Sequence, residues 1–139
     1  MTRFENAMNE RLELNMKNRN KMAKHRKTMG LHEWLRSFCV VACNPGRAVG
    51  KTTWVLDNAG ADDAILTVHP KEFQGKTAAR VIGPRTYESA AQGQWYYNIF
   101  VDEPRLFFDL AHLDRGFEIA RVIEKFGGTP DQTFIFLGE

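Results

Sequence analysis

Four short apolar runs interrupt an otherwise polar chain: Phe38–Cys43, Ala64–Val68, Trp95–Val101 and Thr133–Leu137. Each is bounded by turn-forming or charged residues and is short for a helix, so each predicts a strand. The unbroken apolar character of Phe38–Cys43 predicts a strand buried on both faces, as at the centre of a parallel sheet. Val81-Ile82 predicts a short edge strand, and Tyr87–Gln92 a helical turn.

Helical spacing fills the intervals. Residues 3–28 are rich in helix formers, and Phe4, Met8, Leu12 and Met16 recur every fourth position, a thin stripe on one face. Gly30 stops that helix, and Leu31, Trp34 and Leu35 make a short amphipathic turn. Lys51–Ala59 predicts a second helix. A third, Leu106–Phe126, is read through Leu106, Leu110, Leu113, Phe117, Ala120 and Ile123 and closed by Gly127-Gly128. Strands alternating with helices imply right-handed β-α-β units, and so an α/β fold of three layers with a mostly parallel central sheet. In such sheets ligands bind beyond the carboxyl ends of the strands.

At 139 residues, 43% hydrophobic and 26% charged, the chain fits one globular domain. The pattern divides it into a basic helical extension, 1–30, and an α/β domain, 31–139. Cys39 and Cys43 lie in a single apolar run, which excludes a disulfide framework or a paired-cysteine zinc site. No segment has the length of a membrane helix or the form of a signal peptide, so the expected location is the cytoplasm, with no membrane partner. The net charge of +2 is uneven. Arg3, Arg11, Lys17, Arg19, Lys21, Lys24, Arg26 and Lys27 crowd the first 29 residues. Two readings of this arm stay open: contact with a nucleic-acid backbone, or a solvated or packing helix that docks to a neighbouring subunit through the Phe4–Met16 stripe.

Candidate chemistry falls after the first and third strong strands. Asn44-Pro45-Gly46-Arg47-Ala48-Val49-Gly50-Lys51-Thr52-Thr53 leaves a strand and opens a helix. Phosphate binding needs that setting: a glycine-bearing turn exposes backbone N–H groups, and the helix N-terminus adds partial positive charge. Gly50 lets the backbone approach a phosphate, Lys51 reaches the β- and γ-phosphates, and the Thr52 hydroxyl is a Mg²⁺ ligand. Pro45 stands where the usual pattern has its first glycine, with Gly46 one residue later. An ordinary strand-to-helix turn carrying Gly-Lys-Thr is the competing interpretation.

Fifty residues beyond Thr52, Asp102-Glu103 ends an apolar strand. An aspartate there orients Mg²⁺ through oxygen, and the next carboxylate positions an attacking water. The plainer alternative is an acidic cap on the following helix.

Together these segments resemble the P-loop NTPases that carry an extra strand between the two Walker motifs and a glutamate beside the Walker B aspartate. Within them, the chain is most similar to the ATPase domain of viral DNA-packaging motors, the terminase large subunits. Arg47 three residues before Gly50-Lys51-Thr52-Thr53, and the aromatic Trp95-Tyr96-Tyr97 leading to Asp102-Glu103, carry the likeness. It covers roughly residues 34–139 of this chain; members of the family are longer and bear a nuclease domain. The resemblance implies a nucleotide-binding set of Gly46, Arg47, Ala48, Val49, Gly50, Lys51, Thr52 and Thr53. It also implies Thr52 and Asp102 at the metal, Glu103 as catalytic base and Arg47 at the γ-phosphate.

Arg80, Arg85 and Arg105 are candidates for an arginine finger, and Arg85 beside Tyr87 for nucleic-acid stacking. Solvated surface arginine is the commoner reading. His69 is expected to cap a strand end, His112 to sit on the long helix, and Trp34 to pack in the core or flank an adenine. The expected function is an ATP- and Mg²⁺-dependent P-loop ATPase acting in a nucleic-acid context such as viral DNA handling. Expected partners are nucleotide, DNA through the basic arm, and a homo-oligomer or larger viral assembly. A non-catalytic interaction protein on a degenerate P-loop scaffold is the alternative, and a small-molecule kinase is a third.

Overall fold

The computed structural model describes residues 2–44, 50–90, 95–111 and 117–138. The first helix, α1 (Arg3–Lys21), starts where Thr2 Oγ1 accepts from Glu5 N at 3.2 Å, and it closes with Arg19 and Lys21 in its last turn. A hydroxyl cap and end charges matched to the helix dipole explain both limits. A 3₁₀ turn, Ala23–His25, follows in place of further α-helix. Then come α2 (Leu31–Phe38), strand β1 (Val40–Cys43), α3 (Lys51–Asn58) and strands β2 (Ala64–Leu66), β3 (Arg80–Ile82) and β4 (Asn98–Asp102). Helices α4 (Pro104–Leu110) and α5 (Glu118–Phe126) lead to the last strand, β5 (Thr133–Leu137).

All strand pairings are parallel, in the order β1-β5-β4-β2-β3. Helices cover both faces, so the chain is α/β with a five-stranded all-parallel sheet. Alternate strand residues feed two cores. Leu66, Ile99, Val101, Phe134 and Phe136 meet α2, α4 and α5, while Ile65, Phe100, Ile135 and Leu137 meet α1 and α3.

Phe4 and Met8 are buried in the second of these cores, beside Trp54 and Phe100, and Leu12 packs against it. The first half of the α1 stripe is therefore satisfied by the chain's own sheet rather than by a neighbouring subunit. Met16 lies outside that contact and is 50% exposed.

Three expectations change. β1 is an edge strand, not a central one: Phe38 and Cys39 belong to α2 and its cap, and Ala42 is exposed. Its free edge is covered by α1, where Arg11 donates to Ala42 O at 3.1 Å and Asn15 to Phe38 O at 2.9 Å. The central place goes to β4, four of whose five residues are buried, and β5, buried throughout, lies between it and β1. The third strong strand begins at Asn98, and Trp95 and Tyr97 are exposed, stacked edge to face at 4.6 Å. Finally, Leu106–Phe126 is not one helix. α4 ends at Leu110 and α5 begins after Phe117, whose φ of −126° is not helical. A glycine at 116 disfavours a continuous helix there; His112 and Leu113 lie outside the described residues.

Candidate functional site

With every strand parallel, the carboxyl ends Cys43, Leu66, Ile82, Asp102 and Leu137 share one edge of the sheet. Lys51 opens α3 above that edge, and Gly50 precedes it in the left-handed region, at φ +94°. A side chain on Gly50 would meet Thr2 Oγ1 at 2.8 Å and Glu5 Oε1 at 3.0 Å, so the amino end of α1 abuts the turn.

Lys51 Nζ lies 2.9 Å from Asp102 Oδ1 and 2.7 Å from Glu103 Oε1. The ammonium bridges both carboxylates. Burial by itself pulls the Lys51 pKa down; the hydrogen bond to Glu103 and the nearness of Asp102 outweigh it and leave the pKa above lysine's ordinary value. Asp102 is 5% exposed. Its Oδ2 accepts from Thr67 Oγ1 at 3.0 Å, whereas the buried Oδ1 has, among the described residues, the Lys51 ammonium at 2.9 Å as its polar neighbour. A buried carboxylate oxygen in that condition is costly unless a cation faces it.

Glu103 reaches the lysine from a strained backbone. Its φ of 51° and ψ of 66° are left-handed, a conformation that costs on the order of 1–3 kcal/mol for a residue other than glycine. Pro104 follows, which disfavours the ordinary helical region for the residue before it. Glu103 N continues the ladder to Leu137 O at 2.8 Å, and Gly138 stands beside it at φ +103°. A Cβ on Gly138 would come within 2.7 Å of Glu103 Oε2. A side chain there would push this carboxylate from its place.

Lys51, Asp102 and Glu103 are thus brought together, while Thr52 is half-buried and Thr53 exposed in the first turn of α3. Gly46, Arg47, Ala48 and Val49, with Pro45, lie outside the described residues. Arg80 opens β3 at the opposite, amino edge, its N–H bonded to Asp63 O. Arg85 is exposed and lines a cleft of about 920 Å³ with Val68, Pro70, Val81 and Leu110. Tyr87 is 4% exposed among Phe107, Phe108 and Phe126, so it offers no ring to a nucleic-acid base. Arg105 is exposed on α4. His69 contributes its backbone N–H, which bonds Thr67 Oγ1 at 3.0 Å. Trp34 is 2% exposed with its indole N–H on Pro130 O, away from the carboxyl edge, and cannot flank a base there.

Thr67 and Gly138 escaped the reading of the sequence. The available signal for Thr67 was one hydroxyl near the end of an otherwise apolar run; for Gly138, a glycine directly after the last strand.

A carboxylate such as that of Asp102 and a hydroxyl such as that of Thr52 are the oxygen donors Mg²⁺ takes, one or two from the protein with several waters. Among the described residues no group of three or more His, Cys, Asp or Glu is arranged to hold a metal, and no helix is long and apolar enough to cross a membrane. Comparison with protein-family models, with curated proteins and with solved structures finds no match.

Proposed function

We propose that this chain binds ATP with Mg²⁺ at the carboxyl edge and hydrolyses it, in a nucleic-acid context such as viral DNA handling. One observation carries the reading: the helix-opening lysine of the Gly-Lys-Thr segment is held between two carboxylates from the end of another strand. The topology also supports it, because β5 lies between β1 and β4, the strands that precede the two candidate segments. The resemblance implies an extra strand, and a strand in that position supports the reading.

The chemistry follows from exchange of partners. Triphosphate oxygens draw Lys51 from the carboxylates, and the Lys51 ammonium then offsets phosphate charge. Asp102, with Oδ2 held by Thr67, would hold Mg²⁺ through Oδ1, and the Thr52 hydroxyl would be the second protein ligand. Mg²⁺ held there would neutralise phosphate charge. Glu103, released from Lys51 and backed by Gly138, orients water and takes its proton. Exposed Lys17, Lys21, Lys24 and Lys27 on and after α1 are the surface proposed for phosphate-backbone contact.

The test is titration of wild-type, Lys51→Ala and Thr52→Ala protein with a fluorescent ATP analogue and Mg²⁺, following phosphate release with and without DNA. Lys51→Ala should lose about tenfold or more in affinity, the worth of a charge-assisted hydrogen bond. Circular dichroism must accompany it, because this change leaves two carboxylates without their cation. Full affinity and turnover in a folded Lys51→Ala protein would overturn the proposal.

The same clamp favours a second reading, in which Lys51 is a structural tie and the chain a non-catalytic interaction protein on a degenerate P-loop scaffold. Wild-type protein that binds no nucleotide would select it.

A further inference from the structure

Thr67 directly follows β2, is completely buried, and continues the β2–β3 ladder through its N–H to Ile82 O at 3.1 Å. Among the described residues its hydroxyl makes two contacts. The oxygen accepts from His69 N at 3.0 Å, and Asp102 Oδ2 lies 3.0 Å away. A hydroxyl has one proton, and a backbone N–H cannot accept it, so the proton must point at Asp102. The donor direction is therefore set by the backbone turn at His69.

We propose that Thr67 is a positioning residue that selects which oxygen of Asp102 faces a divalent cation in the nucleotide site. The inference rests on the nucleotide reading above and deepens it. With Oδ2 committed to Thr67, the carboxylate cannot rotate freely, and Oδ1 alone is left toward Lys51. Oδ1 is buried and faces the Lys51 ammonium, so withdrawal of Lys51 to a phosphate leaves it in need of a positive partner. A divalent cation, or a water bound to it, meets that need. Mg²⁺ tolerates little departure from octahedral geometry, so an unpinned carboxylate holds it poorly. Loss of a hydrogen bond that orients a metal ligand typically costs 10–100-fold in metal affinity.

The experiment measures the Mg²⁺ concentration at half-effect for binding of a fluorescent ATP analogue, together with analogue affinity in EDTA. Thr67→Val should raise the Mg²⁺ midpoint by about tenfold or more while leaving the metal-free affinity unchanged, and Thr67→Ser should restore the midpoint. If Thr67→Val does not fold, Thr67→Ala is compared with Thr67→Ser in the same way. An unchanged midpoint in a folded variant without the hydroxyl overturns the proposal. So does a parallel fall in metal-free and Mg²⁺-dependent binding, which is what a purely structural hydroxyl would give. Wild-type protein that fails to bind the analogue with Mg²⁺ overturns the nucleotide reading itself, a distinguishable failure that removes the proposal with it.

Discussion

Lys51 is the residue on which the site's electrostatics turn. Its ammonium pairs with Asp102 and Glu103, and its pKa is raised above 10.5 in the folded protein. A raised pKa means the stabilisation is fully present below the unfolded value and is lost as pH climbs through the folded one. The stability advantage of wild-type over Lys51→Met, measured by urea unfolding, should therefore hold constant from pH 7 to about pH 10 and decline above that. An advantage that falls between pH 6 and 8 would place the controlling titration on another group. Gly138 supplies a second prediction at this scale. Gly138→Ala puts a methyl within 2.7 Å of the Glu103 carboxylate and asks for φ +103° from a residue with a Cβ. Stability should fall by about 1 kcal/mol, and phosphate release should fall by about 100-fold, the cost of roughly 1 Å of misplacement at a reacting group. Turnover equal to wild type would separate Glu103 from the chemistry.

Among the elements, α1 shows how one helix can carry two kinds of information. Its surface lysines and arginines give the basic character legible in the composition, yet Arg19 is only 8% exposed. That guanidinium donates to Thr133 Oγ1 at 2.7 Å and to Gln132 O at 2.9 Å, tying the helix to the start of β5. Arg11 and Asn15 meet the carbonyls around β1, and Trp54 Nε1 donates to Asn9 Oδ1 at 3.1 Å. A parallel edge strand exposes unpaired carbonyls, and α1 covers them with side-chain donors. Arg19→Ala should destabilise by about 2–3 kcal/mol, the worth of hydrogen bonds to a charged donor plus the acceptors left unpaired. Lys17→Ala, an exposed change on the same helix, should move the thermal midpoint little. Equal effects from the two would refute a docking role for Arg19.

In the whole molecule, the elements divide by what made them legible. The strand Thr133–Leu137 was read from the sequence with its observed limits, and Lys51–Ala59 and the edge strand at Val81-Ile82 nearly so, because a short apolar run or a helical stripe is a local signal. Lys51, Asp102 and Glu103 were legible for the same reason: each lies at a strand-to-helix junction, where an all-parallel sheet gathers polar groups. Strand order was not legible, since hydrophobicity reports that a run is buried and not which neighbours bury it. Phe38–Cys43 therefore read as central, although the edge position is protected by donors from a helix far away in sequence. The pairing of Thr67 with Asp102 across 35 positions, and the room that Gly138 leaves for Glu103, depend on atoms brought together only when β2, β4 and β5 align. Local periodicity thus determined the kinds of element and the acidic and basic residues at their ends. Tertiary packing decided the order of the sheet, the docking of α1 and the partners of Asp102, because these are distances between segments and no single segment contains them.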